Sequence, residues 1–458
     1  MSINFANQRF LVLGAGVTGT SVARSLQARG GSVSIADDNA PNAIKPEAVE
    51  LSNFDAVVIS PGWRQDHPLV VKVLASGLQI LNEIDLAWQI RSEVAPGQKW
   101  LALTGTNGKT TTVEMTAKIL QTAGYKAVAC GNVGDTVIDA VDRTDPYDYL
   151  ILELSSFQLH WAKRAEFVSA AILNIADDHL DWHGNFDSYA DAKFSILDRS
   201  EIAILNADDG EVVKRANRFT NRKVFFSLDT PSPGEIGVVE NLLVDRAFVS
   251  DPQQASMICE LADIKPTVPH NVSNALAAAA LARTVDVSHE LIQKALQEFR
   301  PGRHRIEVVF ESDSIAWVDD SKATNPHAAA ASLMSHLSVV WIAGGLAKGA
   351  DMNAMVQRCK GRIKAAVLIG SDRHLIADAL TQYAPEIPRV LVDVPTDYSR
   401  GGQSNTLMEE VVKAALVHAS AGDTVLMAPA CASMDQFISY ADRGDRFAAA
   451  VKKLVAHE

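Results

Sequence analysis

One stretch decides the fold: Leu103-Thr104-Gly105-Thr106-Asn107-Gly108-Lys109-Thr110-Thr111. It lies between an apolar run that predicts a strand and a pattern that predicts a helix, which is the setting of a phosphate-binding loop. Its glycines let backbone N–H groups approach phosphate oxygens, and the following helix points its positive end at the anion. Lys109 would neutralise the phosphates and Thr110 would bind magnesium. Leu103 stands where the strict pattern has glycine, so the loop is a variant, and an ordinary glycine-rich turn is the alternative.

A second glycine-rich loop, Gly14-Ala15-Gly16-Val17-Thr18-Gly19, also follows an apolar run and opens a helical pattern. Asp37 lies near the end of the next predicted strand, about 20 residues on, where a ribose-binding acid is expected. Alone, this pattern favours a nicotinamide-dependent dehydrogenase. However, such loops bind any pyrophosphate through the same backbone groups, so the pattern leaves the ligand open.

The rest of the chain alternates predicted strands and helices. Its 458 residues are enough for about three domains. Short runs that are apolar throughout, such as Tyr149–Leu152 and Val339–Ala343, predict parallel strands covered by helices on both faces. Breaks at Ala95–Gln98 and Arg300–Gly302 divide the chain into α/β domains at residues 1–95, 96–301 and 302–458. Residues 228–262 predict a small excursion of β-structure.

Composition excludes several classes of protein. The formal charge of −13 argues against a nucleic-acid binder, and the 47% hydrophobic content allows several ordinary cores. The sequence contains no run of 18 apolar residues, and its start lacks the apolar core of a signal peptide. We therefore expect a cytoplasmic protein without membrane insertion. The four scattered cysteines predict reduced, mostly buried thiols.

Several candidate ligand groups follow predicted strands of the middle domain. His179 and His183 are four residues apart and would suit zinc, but the glutamate of a zinc-protease motif is absent. Glu153 follows a buried run at the carboxyl edge of the predicted sheet, which favours magnesium; a solvated acid is the alternative. Lys193 lies on a predicted helix, where a solvated surface lysine is the default interpretation.

Polar turns also follow strands farther along the chain. Asn271 and Asn274 lie at the start of an alanine-rich helix, where they would contact a nucleotide or simply cap the helix. Arg303-His304-Arg305 supplies cations near the second break. Three turns, 319–326, 344–349 and 428–437, follow strands of one predicted sheet, so we expect them to converge on a ligand.

Together these motifs resemble the Mur ligase family of peptidoglycan synthesis. The resemblance spans nearly the whole chain and rests on motifs that occur in the same order: Gly105–Thr111, Glu153–Gln158, Asp178–Asp181, Lys193, His270–Asn274, Arg305, Asp320–Pro326, Gly344–Lys348 and Ala428–Phe437. It implies a Rossmann-like N-terminal domain for a UDP-sugar, a central P-loop-type ATPase domain and a Rossmann-like C-terminal domain for an amino acid. It further implies ligation of D-glutamate to UDP-N-acetylmuramoyl-L-alanine through an acyl phosphate. We also expect the protein to be a monomer.

The resemblance also implies residue roles. For ATP it implies Gly105, Thr106, Asn107, Gly108, Lys109, Thr110, Thr111, Asn271, Arg305 and Asp320. For the UDP-sugar it implies Gly14, Val17, Thr18, Asp37, Asn132 and His179. For D-glutamate it implies Lys322, Thr324, Lys348, Ser433 and Tyr440. For two magnesium ions it implies Thr110 and Glu153, then His179 and a carbamylated Lys193. The catalytic residues it implies are Lys109, His179 and Lys193.

The chain departs from the family pattern at four positions. Leu346 replaces an acid found in some relatives, Asp38 and Asn39 replace a hydroxyl residue and an arginine, and Tyr440 replaces phenylalanine. Other amide ligases are the nearest alternatives. A ligase for L-lysine or diaminopimelate would show Asp-Asn-Pro-Arg, which is absent here, and a folylpolyglutamate synthetase would lack the Gly14–Gly19 domain. A dehydrogenase needs no Gly105–Thr110 loop, and a nucleotide-binding regulator needs no amino-acid site.

Overall fold

The computed structural model describes residues 5–251, 253–392 and 404–455, with only the backbone at residues 404 and 405. The chain divides into two compact units, Met1–Phe299 and Arg300–Glu458. The apolar pattern near the end of the sequence predicts a helix over Asp445–Ala456, of which Ala456 lies outside the described residues. Among the described residues, no helix is both long and apolar enough to cross a membrane.

The first unit begins with a four-stranded parallel sheet of order β2-β1-β3-β4. Its strands are β1 (Arg9–Leu13), β2 (Ser32–Ala36), β3 (Ala56–Ile59) and β4 (Gln79–Leu81). Its helices are α1 (Val17–Ala28), α2 (Pro68–Ala75) and α3 (Glu83–Val94). Strands β1 and β3 lie in the middle of the sheet and are almost wholly buried, as their apolar sequences predict.

The second sheet of this unit has nine strands in the order β13-β12-β11-β10-β9-β8-β5-β7-β6. The strands are β5 (Lys99–Thr104), β6 (Ala127–Gly131), β7 (Tyr149–Glu153), β8 (Phe167–Ile172), β9 (Ser200–Asn206), β10 (Arg222–Phe226), β11 (Glu235–Val239), β12 (Leu242–Asp245) and β13 (Ser256–Glu260). Strands β5 to β11 pair in parallel, and β12 and β13 add an antiparallel edge. This edge confirms the predicted β-excursion.

Eight helices cover the nine-stranded sheet: α4 (Lys109–Thr122), α5 (Val137–Val141), α6 (Ser156–Trp161), α7 (Leu180–His183), α8 (Phe186–Phe194), α9 (Gly210–Ala216), α10 (Pro269–Arg283) and α11 (His289–Glu298). The alanines of α10 are buried, and this helix packs against α4. Because alanine side chains are small, the two helices can approach closely. Helix α10 therefore holds the start of α4, which follows the phosphate loop.

The second unit contains a six-stranded sheet of order β14-β15-β19-β16-β17-β18. Its strands are β14 (Glu307–Ser312), β15 (Ile315–Asp319), β16 (Val339–Gly344), β17 (Ile363–Ile369), β18 (Arg389–Leu391) and β19 (Thr424–Met427). Its helices are α12 (Pro326–Met334), α13 (Asn353–Cys359), α14 (Arg373–Tyr383), α15 (Ser404–Leu416) and α16 (Tyr440–Val455). All pairs are parallel except β14–β15. Three mostly parallel sheets confirm the predicted α/β class.

Some predicted local features differ from the structure. Helix α10 begins at Pro269, and its N-cap residue, Val268, makes no side-chain bond, so the interpretation of Asn271 and Asn274 as caps is wrong. Helix α16 begins at Tyr440, not Asp445 as predicted, because the polar residues of its first turn hide the apolar stripe that starts at Phe447. The four cysteines are free and buried, as predicted.

Within the first unit, a buried carboxyl group joins the two sheet layers. Glu83, the first residue of α3, is 2% exposed, and its Oε1 accepts a hydrogen bond of 3.0 Å from the Ile138 backbone N–H at the start of α5. Burial raises the pKa of Glu83 from 4.5 to about 7. The folded state therefore binds a proton that the unfolded chain has released over this pH interval.

We expect the stability of the first unit to fall as pH rises from about 5 to about 8. The contribution of protonated Glu83 is fully present below pH 4.5 and is lost as pH rises through about 7. Its magnitude is on the order of 3 kcal/mol. Glu83→Gln keeps the acceptor and removes the titration, so urea unfolding at pH 5.5 and 8 should show a smaller loss than in wild type. Equal losses in both proteins would contradict this assignment.

Candidate active site

The phosphate loop connects β5 to α4, as predicted, and its backbone is held by residues distant in sequence. Gly108 has φ +82°, and a Cβ there would lie 2.4 Å from the Asn274 side-chain oxygen, so this position requires glycine. The Asn107 backbone N–H donates to Asn174 Oδ1 at 2.8 Å, and Asn174 Nδ2 donates to the Asn107 carbonyl at 3.1 Å. The loop is therefore fixed at the N-terminus of α4, where it can receive an anion.

Two lysines point at the same loop. Lys109 Nζ donates to the carbonyls of Gly105 and Thr106 at 2.9 and 2.8 Å. Lys193 Nζ donates to the Gly105 carbonyl at 2.8 Å and to the Thr104 hydroxyl at 3.3 Å. Lys193 is only 2% exposed, so the alternative of a solvated surface lysine is wrong.

The environment of Lys193 disfavours its charged form. Burial and the nearby positive charge of Lys109 lower the pKa of Lys193 well below its usual value, against the opposing effect of Asp178 and Glu153. The amine also lies 4.9 Å from the centroid of the Tyr189 ring. Because a neutral amine is nucleophilic, this site suits a lysine that reacts at its nitrogen.

A carboxylate completes the same edge of the sheet. Glu153 ends β7, beside β5, and is 2% exposed. Its Oε1 accepts a bond of 2.8 Å from Asn132 Nδ2. Its Oε2 is buried and has no hydrogen-bond partner among the described residues. A buried carboxylate oxygen without a donor is costly, and a hard cation such as magnesium would satisfy it. Glu153 thus fits a metal ligand better than a solvated acid.

His179 adds a nitrogen donor near these groups. It has φ +53° and precedes α7, which places its ring 4.7 Å from that of Phe157. Burial lowers the pKa of His179, and the charges of Lys193 and Lys109 lower it further. A neutral imidazole at neutral pH can bind a metal or accept a proton.

The zinc interpretation of His179 and His183 finds no support. His183 Nε2 lies 3.0 Å from the Ser156 hydroxyl, and burial lowers the pKa of His183 to about 4. Within the described ranges, the only group of three His, Cys, Asp or Glu residues close enough to share an ion is His304, Glu307 and Asp319 in the second unit. There, His304 Nδ1 and Asp319 Oδ2 are already joined by a 2.7 Å hydrogen bond.

A cavity of about 750 Å³ lies between the two sheets of the first unit. The predicted UDP-sugar residues Gly14, Val17, Thr18, Asp37 and Asn132 line it, and so does Phe157, which contacts His179. Since Asn132 also donates to Glu153, the cavity adjoins the buried carboxylate. A ligand here can extend from the Gly14–Gly19 loop toward the phosphate loop.

Asp37 is engaged by the backbone. Its carboxylate accepts bonds of 2.8 to 2.9 Å from the N–H groups of Ala15, Asn39 and Ala40, and these bonds, that of Ala15 first, lower its pKa. Asp37 therefore holds the glycine-rich loop and the turn after β2 in one conformation. Asp38 and Asn39, which depart from the family pattern, also line the cavity.

In the second unit, the three predicted turns do converge. Leu346 and Ala432 exchange backbone hydrogen bonds of 2.9 Å in both directions, which joins the turns after β16 and β19. Arg443 of α16 is fully buried and donates to the carbonyls of Ser321, Gly344 and Cys431. One guanidinium thus connects the ends of β15, β16 and β19.

Four of the five residues predicted to bind the amino acid, Lys322, Thr324, Lys348 and Ser433, lie on these turns, and the fifth, Tyr440, is the first residue of α16. Lys322 Nζ is 4.0 Å from the centroid of the Tyr440 ring, and Ser433 is 3% exposed. Thr324 follows Lys322 in the turn after β15, and Lys348 lies in the turn after β16 with φ +51°. The side chains are therefore brought to one edge of one sheet. These positions are compatible with Tyr440 at the place where the family pattern has phenylalanine.

The remaining nucleotide candidates are distributed over both units. Asn271, in the first unit, donates from Nδ2 to the Pro266 carbonyl at 2.9 Å. Asp320, in the second, is 9% exposed, and burial raises its pKa to about 7. The positive charge of the Arg305 guanidinium opposes this rise in the pKa of Asp320.

The sequence patterns did not predict a role for two residues of the candidate sites, Tyr189 and Arg443. Tyr189 OH lies 2.9 Å from the Thr106 hydroxyl and positions the loop, and Arg443 joins the three turns. Tyr189 is four residues before Lys193 on one helical face, which is a usable signal. Arg443 gives no local signal, because its partners Ser321 and Gly344 are 122 and 99 residues away.

Comparisons with known proteins agree with this architecture. Residues 103–282 match the Mur ligase middle domain, and residues 304–431 match the family described as Mur ligase, glutamate ligase domain. A UDP-N-acetylmuramoylalanine–D-glutamate ligase of Thermobifida fusca (strain YX) is 46% identical over 469 residues, covering 98% of each chain. One of Streptomyces avermitilis is 44% identical over 476 residues, covering 99% of this chain and all of the relative.

Solved structures share the fold at low identity. A pseudomurein peptide ligase type C from Methanothermus fervidus has a TM-score of 0.61 at 19% identity and covers 98% of this chain and 100% of its own. The MurF ligase of Thermotoga maritima in complex with ADP has a TM-score of 0.59 at 16% identity, covering 98% of this chain and 99% of its own.

Proposed function

Since this chain belongs to the Mur ligase family, we propose that it uses ATP to join D-glutamate to UDP-N-acetylmuramoyl-L-alanine in peptidoglycan precursor synthesis. Relatives named for this activity match it along almost its entire length. One observation supports the location of the site. The phosphate loop, the buried Lys193 and the unpartnered oxygen of Glu153 lie at the same edge of one sheet.

The reaction has two steps. A carboxylate oxygen of the terminal L-alanine attacks the γ-phosphorus of ATP, the bond to the bridging oxygen breaks, and ADP leaves. The amine of D-glutamate then attacks the acyl carbon, loses a proton, and phosphate departs as the carbon–oxygen bond breaks. Both reactants of the first step are anions, so a site that offsets their repulsion accelerates it.

The residues of the first unit fit this need. The phosphate-loop N–H groups and Lys109 would hold the β- and γ-phosphates. Thr110 and Glu153 would hold one magnesium, and His179 with carbamylated Lys193 a second. Bound magnesium would supply positive charge that balances the transferred phosphoryl group. The buried Glu153 oxygen and the depressed pKa of Lys193 support this ligand set.

The three predicted domains would divide the substrates. Residues 1–95 would bind the UDP-sugar in the cavity that Gly14, Val17, Thr18 and Asp37 line together with Asn132 of the middle domain. His179 is outside that lining and contacts Phe157, which is part of it. Residues 96–301 would bind ATP, aided by Asn271. Residues 302–458 would bind D-glutamate through the converging turns. The family resemblance also assigns Arg305 and Asp320 of this domain to ATP. ATP and UDP-sugars are cytoplasmic solutes, which favours a cytoplasmic enzyme.

One assay tests the proposal. ADP release by the full chain is followed with ATP, magnesium and UDP-N-acetylmuramoyl-L-alanine, first alone and then with D-glutamate, L-lysine, diaminopimelate or L-glutamate. We expect sustained ADP release with D-glutamate only, with the ligated product found by mass spectrometry. Turnover with another amino acid, or ADP release that does not depend on the UDP-sugar, would contradict the proposal.

Arg443 offers a test of the amino-acid site. We expect Arg443→Lys to raise the apparent KM for D-glutamate by about tenfold or more, because a lysine cannot connect three turns as the guanidinium does. The apparent KM for the UDP-sugar should stay within about twofold, since that substrate uses the first unit. Arg446→Lys on the same helix, where Arg446 pairs with Asp442 at 2.8 Å, is the matched control. An unchanged KM for D-glutamate in folded Arg443→Lys would refute the positioning role.

A further inference from the structure

A second cavity of the first unit is unused by the proposed reaction. It has a volume of about 670 Å³ and lies where β5, β8 and β9 begin. The phosphate loop follows the opposite end of β5, so the length of that six-residue strand, roughly 20 Å, separates the two sites. A molecule bound here would not touch the reacting groups.

The cavity is positively charged in a negatively charged protein. Five cationic side chains line it, against three acidic ones, while the whole chain carries a formal charge of −13. The five are Arg91, Lys99, Lys163, Arg164 and Arg199. A local excess of positive charge in a concave site concentrates anions.

One of these cations is held in the wall without full pairing. Arg199 Nη1 is buried and has no hydrogen-bond partner within the described part of the chain, and Nη2 reaches only the Ser195 carbonyl, at 3.4 Å. The guanidinium carbon lies 5.9 Å from the centroid of the Phe167 ring. The Arg199 guanidinium therefore places a weakly hydrogen-bonded positive charge in the wall of the cavity.

The neighbouring carboxylate of Asp85 is already engaged by hydrogen bonds. The buried carboxylate of Asp85 accepts backbone N–H bonds from Lys163, Arg164 and Ala165 at 2.8, 2.8 and 3.0 Å. It also accepts a bond of 2.7 Å from Asn82. Asp85 therefore fixes the loop that carries Lys163 and Arg164, and its oxygens are already engaged.

The charges in the cavity also affect one another. Burial, and next the positive charge of Arg199, lower the pKa of Lys163, and burial lowers the pKa of Arg199; the charges of Asp85 and Asp198 oppose both shifts. The two cations therefore sit close enough to repel each other, and a shared anion would relieve that repulsion. Trp88, under the Arg91 guanidinium at 4.3 Å, and Trp100 give the cavity an aromatic wall.

We propose that this cavity is a second anion site, in which Arg199 and Lys163 bind a phosphate group, either as free phosphate or as the monoester of a small metabolite. A phosphate dianion carries two negative charges and several acceptor oxygens, enough to pair with the Arg199 guanidinium and the Lys163 amine together. The site is distinct from the phosphate loop and independent of the identity of the amino-acid substrate.

Titration calorimetry on the full chain tests this, with inorganic phosphate in one arm and AMP in the other, at constant ionic strength set with chloride. Each arm is run on wild type, Lys109→Ala, Lys163→Gln and Arg199→Gln. We expect one binding event that persists in Lys109→Ala and weakens at least about tenfold in Lys163→Gln and Arg199→Gln. Lys126→Gln, at the same sheet edge but outside the cavity lining, is the matched control and should bind as wild type does.

The outcomes separate the sources of the ligand. Binding in both arms indicates recognition of the phosphate group itself, and binding of AMP alone indicates a monoester whose base contacts the aromatic wall. Should Arg199→Gln fail to fold, Lys163→Gln decides. Within the described residues Lys163 Nζ makes no hydrogen bond, and the substitution leaves the backbone N–H that donates to Asp85 unchanged. Absence of binding, loss of it in Lys109→Ala alone, or equal weakening in Lys126→Gln would overturn the proposal.

Discussion

Replacing Lys109 by alanine is expected to reduce ADP formation by about 10³-fold or more while leaving the chain folded. The ammonium lies over the phosphate loop, where it contacts the Gly105 and Thr106 carbonyls. Loss of a cation that stabilises charge developing on a transferred phosphoryl group typically costs several kcal/mol in the transition state. ADP release under saturating substrates measures the effect.

The control for this variant lies on the same helix. Lys118→Ala removes a half-buried lysine that pairs with Glu298 at 2.7 Å, and it should retain near wild-type turnover. Thermal unfolding of both variants checks that the fold is intact. Near wild-type ADP formation by Lys109→Ala would remove the basis for assigning ATP to this loop.

Lys193→Ala should lose activity by about 10²-fold or more, again without unfolding. An ammonium beside magnesium would repel it, but the neutral amine favoured by burial and by Lys109 can attack CO₂. In the proposed function, the resulting carbamate, formed with loss of a proton, would present two oxygens to magnesium. Lys193→Glu restores a carboxylate and should keep more activity than Lys193→Ala.

Carbamylation has a readout that does not depend on turnover. The enzyme equilibrated with ¹³C-bicarbonate should show a ¹³C NMR signal of a carbamate that disappears in Lys193→Ala. Lys214→Ala, which removes an exposed lysine paired with Glu211, should keep that signal. A wild-type spectrum without the carbamate signal would return Lys193 to a purely structural role, donating to Gly105 and Thr104.

The sequence by itself determined the class of fold and the position of the phosphate loop. Apolar runs such as Tyr149–Leu152 and Val339–Ala343 specify buried parallel strands, since the pattern is local and no distant residue changes it. The Gly105–Thr111 loop was evident for the same reason. The starts of α10 and α16 could not be predicted from the sequence, because their polar first turns carry little hydrophobic periodicity.

The state of each side chain was decided only by the tertiary structure. Lys193 has the sequence context of a surface lysine, yet it is buried against Gly105, 88 residues away. Glu153 has an unpartnered oxygen, and Arg443 joins three turns, because elements far apart in the chain meet there. Burial and pairing depend on the packing of distant segments, and these set the charge and hydrogen bonds of a group. The sequence therefore indicated which residues belong to the site, whereas the fold determined their burial, hydrogen bonding and charge.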